Sequence, residues 1–320
     1  MKIAILGFGT VGKGVAEIIL KKSTELTSKI VIKKILIREN RIKYYQDLIR
    51  NSSIYNKLNQ NIITSNISEI INDNEISIVV ECIGGVNPSF EYVKLLLEAG
   101  KNIVTSNKVL LAEKYNELIN NKKYKNRIKY ESSVGGGIHI FHSIKNIKKV
   151  DKIRSFKGII NGTTNYILSK MTENNYLNFN DALKEAQELG FAESEPSNDI
   201  DGYDSCYKTV LLYNEIFENK INIKNIKLKG IKNITKEDII KAKEKNKIIK
   251  LISYGDENEI YVKPVEIEKN NYLSHINDNF NCIIINSENL GISAYIGQGA
   301  GKPATAHAIV LDIIEFCINN

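Results

Sequence analysis

Lys2-Ile-Ala-Ile-Leu-Gly-Phe-Gly-Thr-Val-Gly12 is the stretch on which the reading of this chain turns. Its opening run is apolar, rich in isoleucine and closed by a glycine, which predicts a strand over Lys2–Leu6. Three glycines then follow at the spacing G-x-G-x-x-G. Gly7 permits a tight turn, Gly9 lets backbone approach a pyrophosphate, and Gly12 lets the next helix, expected over residues 11–21, pack closely on the strand. The free N–H groups and positive dipole end of that helix favour phosphate. The stretch therefore predicts a bound dinucleotide touching Gly7, Phe8, Gly9, Thr10, Val11 and Gly12. The bland alternative is the same turn kept without a ligand.

Working outward, apolar runs at residues 30–37, 76–82, 102–105 and 128–131 read as strands. Helical spacing at residues 89–99 and 110–120 falls between them, and Gly100 is well suited to end the first of these helices. This alternation predicts the α/β class, with a Rossmann-type, doubly wound parallel sheet and right-handed crossovers. After Gly135-Gly-Gly137 the rhythm changes. Strand-like residues 152–160 are followed by helical patterns at 163–171, 179–189 and 205–217. Thr235-Lys-Glu-Asp238 fits a capping box opening a helix through residue 249. Strands are expected at 260–267 and 281–285, and a last helix at 305–316. The expected division is an NAD(P)-binding domain over 1–134, completed by 286–320, and a second α/β catalytic and dimerisation domain over 135–285.

The composition narrows the function classes. A chain of 320 residues is long enough for two cores. No apolar run has the length of a membrane span and no leader pattern precedes the first strand, so a cytoplasmic protein is expected. Cys82, Cys206, Cys282 and Cys317 are scattered without a Cys-x-x-Cys pair, which argues for reduced thiols and against a zinc site. The formal charge of +7 is spread among Asn and Ile rather than gathered on one arm, so nucleic acid is not expected as a partner. The four histidines show no metalloprotease-like spacing and are assigned to structure.

Cofactor choice rests on the tip of the second strand. NAD-binding versions of this turn carry a carboxylate there, whereas this chain has Arg38, followed by Glu39. An arginine can pair a 2′-phosphate bidentately. NADP(H) is favoured on that ground, with NAD(H) as the alternative if Arg38 is only a solvated loop charge. Ile83, Lys108 and Gly301 complete the expected cofactor-binding set. Lys108, in Thr105-Ser-Asn-Lys108, lies after a short strand, at the carboxyl edge where such sheets bind ligands.

Residues 189–208 crowd Glu193, Glu195, Asp199, Asp201 and Asp204 into a loop broken by Pro196 and Gly202. Asp204 and Lys208 then sit at i and i+4 on one helix face. An arbitrary pair of this kind is usually a surface ion pair. Here the helix continues into Val210-Leu-Leu212, so part of it faces a core. A partly buried lysine beside a carboxylate can exchange protons near neutral pH.

With these residues in view, the chain resembles the homoserine dehydrogenases along nearly its whole length. The landmarks are Gly7–Gly12, Thr105-Ser-Asn-Lys108, Glu131 to Gly137, Gly158-Ile-Ile-Asn-Gly-Thr-Thr-Asn-Tyr-Ile-Leu168, residues 189–208, Glu237-Asp238-Ile239 with Lys250-Leu251, and Gly299-Ala-Gly301. The resemblance implies reversible hydride transfer between L-homoserine and L-aspartate 4-semialdehyde, a step toward threonine, methionine and isoleucine. It implies Lys208 and Lys108 as candidates for proton transfer and Asp204 as the group that orients substrate. Glu193 and Asp199 would hold the amino-acid end, and Gly162 and Thr163 would line the pocket. It also implies a sodium ion at Glu131, Val134, Gly136 and Ile138, mostly through carbonyl oxygens, and a homodimer or homotetramer. His139 and Lys302-Pro-Ala depart from the family spelling. The chain ends after the 305–316 helix, so no C-terminal amino-acid-sensing domain, and no threonine feedback through one, is expected. Two other readings are an aspartate-dehydrogenase-like enzyme and a non-catalytic dinucleotide-binding protein.

Overall fold

The computed structural model describes residues 1–173 and 177–318. The chain forms two compact units, Met1–Ser133 with Gly301–Asn320, and Val134–Ala300. The last two residues of the expected C-terminal segment lie outside the described residues.

The first unit is built on strands β1 (Lys2–Leu6), β2 (Val31–Leu36), β3 (Ile63–Thr64), β4 (Ile76–Glu81), β5 (Asn102–Thr105) and β6 (Ile128–Lys129). All pair in parallel, in the order β3-β2-β1-β4-β5-β6. That is the order of a doubly wound dinucleotide-binding sheet, with its switch point between β1 and β4. The apolar runs are nearly continuous because helices cover both faces of a parallel sheet. Ile3, Ile5, Ile35, Ile78, Val80 and Val104 are buried in one cluster with Val15, Ala16 and Ile19 of helix α1 (Thr10–Lys21). Each such side chain contributes about 1.5–3 kcal/mol on burial. The C-terminal helix, Lys302–Ile318, adds Ala306, Ile309 and Ile313 to the same core. It approaches α1 at Gly14, where a Cβ would lie 2.9 Å from that of Ala306. Helix α2 (Ile42–Asn51), α3 (Ser89–Glu98) and α4 (Lys108–Glu113) complete the frame around the site.

The second unit opens with helix α5 (Ile140–Lys148) and strand β7 (Ile153–Ile159). Helices α6 (Gly162–Thr172), α7 (Phe179–Glu188) and α8 (Tyr203–Phe217) follow, then β8 (Lys227–Leu228) and α9 (Lys236–Glu244). Strands β9 (Lys247–Asp256), β10 (Ile260–Glu268), β11 (Phe280–Ser287) and β12 (Gly291–Gln298) finish the sheet. Its order is β12-β11-β7-β9-β10-β8, antiparallel except for the β8–β10 pair.

Several spans differ from the sequence expectation. The capping box is real, with Thr235 accepting from the Asp238 N–H and Asp238 accepting from the Thr235 N–H. Its helix, however, stops at Glu244 rather than running to residue 249. Asn246 takes a left-handed φ of 59°, and Ile248, Ile249, Leu251 and Ile252 enter a strand covered on both faces. Such a run carries no period that separates strand from buried helix. The chain was also expected to return to the first domain near residue 286. Instead β12 pairs with β11 along its full length, and the first unit resumes at Gly301. Finally, α2, β3, α5, β8 and β12 occupy stretches to which no element was assigned.

Candidate active site

In the first unit the glycine turn opens a cleft of about 690 Å³. Gly7 has φ +91°, and a Cβ there would sit 2.8 Å from the Cys82 carbonyl oxygen. A Cβ on Gly12 would stand 2.2 Å from the Gly7 oxygen, whereas one on Gly9 would meet nothing within 4 Å. Two glycines thus close the turn and the third leaves backbone open to a ligand, as a pyrophosphate requires. Gly7, Phe8, Gly9, Arg38 and Ile83 of the expected set line this cleft. Thr10, Val11 and Gly12 form the first turn of α1. Phe8 lends only its backbone, since its ring is buried edge-on to Tyr45 and Tyr55. Gly301 takes a φ of +104° immediately before the C-terminal helix.

The same cleft contains residues that the sequence reading passed over. Arg41, one turn past Arg38, lies over the Tyr44 ring at 4.5 Å and nearer the cleft over Tyr45 at 5.8 Å. At the end of β4, Glu81 is 0% exposed. Its Oε1 accepts from the Ile83 N–H at 2.8 Å and the Gly84 N–H at 3.2 Å, and its Oε2 from the Thr105 hydroxyl at 2.6 Å. Thr105 Oγ1 in turn accepts from the Asn107 N–H, and Asn107 caps α4 by accepting from the Leu110 N–H. This buried relay fixes the strand ends from which half-buried Lys108 starts its helix. A carboxylate closing an apolar strand was the available signal.

In the second unit the carboxylate loop and the helix after it converge. Asp204 and Lys208 are both buried on α8. The Lys208 ammonium donates to Asp204 Oδ2 at 2.7 Å and to the Ile160 carbonyl at 2.9 Å. Asn161 Nδ2 donates to the same Asp204 oxygen at 2.7 Å and to Asp199 Oδ1 at 2.6 Å. Its own Oδ1 accepts from the Thr164 N–H, capping α6. One carboxamide thereby ties two carboxylates to a helix N-terminus. Asn161 was missed as a site residue, although an Asn before Gly-Thr-Thr is a readable N-cap. Gly162 packs so closely that a Cβ would lie 2.7 Å from the Asn279 oxygen, and Thr163 donates to the Phe191 carbonyl at 2.6 Å. Glu193 stays exposed on its loop, as does Glu195, while Asp201 is half-buried. Lys208 has committed two of three N–H groups. Among the described residues the third has no acceptor, which leaves it for a substrate oxygen.

Of the positions implied for a cation, Glu131 is buried and its N–H donates to Asp312 Oδ2 at 2.9 Å. Val134 and Ile138 are buried, and Gly136 has φ +51° in the turn between them.

A dinucleotide-type sheet with an open glycine turn, and a unit bearing a buried lysine–carboxylate pair, define the class: a nicotinamide-dependent dehydrogenase. Residues 7–131 match the family model for the homoserine dehydrogenase NAD-binding domain, and residues 140–314 that for homoserine dehydrogenase itself. Homoserine dehydrogenase of Lactococcus lactis is 36% identical over 98% of this chain and 74% of its own. The crystal structure of a homoserine dehydrogenase from Thiobacillus denitrificans superposes with a TM-score of 0.88 at 30% identity, over 98% of this chain and 72% of that one. A hyperthermophilic archaeal homoserine dehydrogenase in complex with NADPH has a TM-score of 0.82 at 27% identity, over 100% and 98%. The chain belongs to the homoserine dehydrogenase family: an NAD(P)-dependent oxidoreductase acting on a CH–OH group, here the interconversion of L-homoserine and L-aspartate 4-semialdehyde.

Proposed function

We propose that the chemistry of this reaction is carried by Lys208 and Asp204, with Asn161, Asp199, Glu193, Gly162 and Thr163 forming the substrate site. The observation that supports this most is the buried Lys208–Asp204–Asn161 cluster, because it leaves one ammonium N–H uncommitted beside two carboxylates. When bound, the nicotinamide accepts or supplies the hydride at C4 of the substrate. In the reductive direction the Lys208 ammonium gives a proton to the aldehyde oxygen, and in the oxidative direction the neutral amine takes it from the hydroxyl. Asp204 aims the lysine and Asp199 meets the substrate ammonium, aided by Glu193 from its exposed loop. Lys108 is the second candidate for proton transfer. Lys208→Ala and Lys108→Ala, assayed in both directions with cofactor binding followed separately, test the assignment; full activity in Lys208→Ala refutes it.

NADP(H) is the preferred cofactor in this reading, held by residues 7–12, Ile83 and Gly301. Arg38 and Arg41, both in the cleft, favour a 2′-phosphate, and Glu39 between them favours a free ribose. A sodium ion at Glu131, Val134, Gly136 and Ile138 is inferred from the resemblance, since carboxylate and carbonyl oxygens suit a hard cation. Activity titrated with Na⁺ against a large organic cation tests that part. A homodimer is supported by the second sheet, whose outer strand β12 leaves Ile292 (66%) and Ile296 (58%) exposed on one face. Free cysteines, and no described helix long and apolar enough to cross a membrane, are consistent with a place in the cytoplasm.

A further inference from the structure

Lys250, on β9, is 1% exposed and takes no part in the site above. Its three N–H groups are shared among Asn165 Oδ1 at 2.9 Å, Ser169 Oγ at 2.9 Å, the Ile276 carbonyl at 2.7 Å and Asn277 Oδ1 at 3.0 Å. None of the four oxygens is a carboxylate; burial draws its proton affinity down to about 7, and the charges of Glu173 and Asp278 offset only part of that cost. A lysine held this way is costly to bury, and once it is buried its removal would leave those oxygens unpaired.

The partners point to what the cost supports. Asn165 and Ser169 are successive turns of α6, whose N-cap is Asn161. With its oxygen held by Lys250, Asn165 turns its Nδ2 to the Ile276 and Phe280 carbonyls, each at 3.1 Å. Ile276, Asn277 and Phe280 flank Asn279, the residue whose oxygen seats against Gly162. The amino group is therefore the joint between α6 and the 276–280 loop, and both close on the turn that holds Asp199 and Asp204.

We propose that Lys250 is a positioning residue for the substrate site, its ammonium acting as an internal cation that locks the first turn of α6 in register with the 276–280 loop. This rests on the assignment of Asn161, Asp199 and Asp204 to that site. Loss of the lock should loosen homoserine binding and leave cofactor binding alone.

The test is steady-state kinetics of Lys250→Ala at pH 6.5, with and without ethylammonium. A cavity of about 250 Å³ lined by Ser169, Lys250, Lys269 and Asn277 gives the added cation a route to the oxygens. Expected is a rise of about tenfold in the homoserine KM, an NADPH KM changed less than about twofold, and recovery of much of the loss with ethylammonium but not with tetramethylammonium. An unchanged homoserine KM overturns the proposal, as does a loss shared equally by both substrates that ethylammonium does not touch. If Lys250→Ala does not fold, Asn277→Ala removes one oxygen from the joint. It should raise the homoserine KM by about two- to threefold with the NADPH KM unmoved, and no change there overturns the proposal equally. Were Asp199 and Asp204 not the substrate site, Asp199→Asn and Asp204→Asn would leave the homoserine KM and kcat unchanged, which separates failure of that reading from failure of this one.

Discussion

Two lysines are buried in the second unit, and their surroundings differ. Lys208 sits against one carboxylate and one carbonyl, with an N–H left over. Lys250 sits among four neutral oxygens, its donors fully engaged. A carboxylate partner holds an ammonium in place while leaving it an N–H for a third group. A neutral cage uses every donor for attachment and leaves nothing for chemistry. The same side chain is a reactive group in one setting and a fastening in the other, and hydrogen-bond inventory separates them better than depth of burial.

The sharpest way to break this contrast is to remove each amino group in turn. Lys208→Ala should lower kcat by about 10²–10⁴-fold, the range for a positioned acid–base group, while NADPH binding measured by fluorescence is kept. Lys250→Met should keep most of kcat at saturating homoserine but raise the homoserine KM by about tenfold, as loss of a supporting contact does. Comparable kcat losses in the two variants would erase the distinction.

A thermodynamic prediction follows from the cage. Folded Lys250 binds its proton with a pKa of about 7, against an ordinary lysine value of 10.5. Between those values the unfolded chain holds a proton that the folded chain lacks. The residue's contribution to stability is therefore complete above the unfolded value and lost as pH falls through about 7. In denaturant melts the stability of the wild type should rise relative to Lys250→Met by a few kcal/mol between about pH 7 and 10.5, at about 1.4 kcal/mol per tenfold in proton affinity. A difference that stays flat with pH would show that the lysine is not desolvated as its surroundings demand. The smallest expected effect concerns the first unit. Arg38→Ala should cost about tenfold in the NADPH KM and little in that for NADH, and Arg41→Ala less, because its guanidinium is partly spent on the Tyr44 ring.

The two lysines also mark how far the sequence could be read. The first sheet was legible because its strands are short, β-rich and punctuated by glycines with distinct steric duties at 7, 9 and 12. Asp204 and Lys208 were legible because i,i+4 spacing on a half-apolar helix is a local pattern. Lys250 was legible only as a landmark shared with the family and not in its role, because Lys247-Ile-Ile-Lys-Leu-Ile252 gives no sign that one lysine of the pair points inward, and all four of its partners come from elsewhere in the chain. Asn161 and Glu81 escaped for the same reason, since their importance lies in partners 38–43 and 24 residues away. The return of the chain at Gly301 rather than near residue 286 depended on β12, whose every second residue is polar or small and which pairs only as an outer strand.

The proton transfer assigned to Lys208 is the step most directly open to measurement. The measurement is kcat for homoserine oxidation by Lys208→Ala, at saturating substrate and cofactor and across pH 6 to 10, on protein shown to bind NADPH. The expected result is a loss of at least about a hundredfold across that range. A variant that keeps kcat within about threefold and retains the wild-type pH profile would contradict the assignment of Lys208.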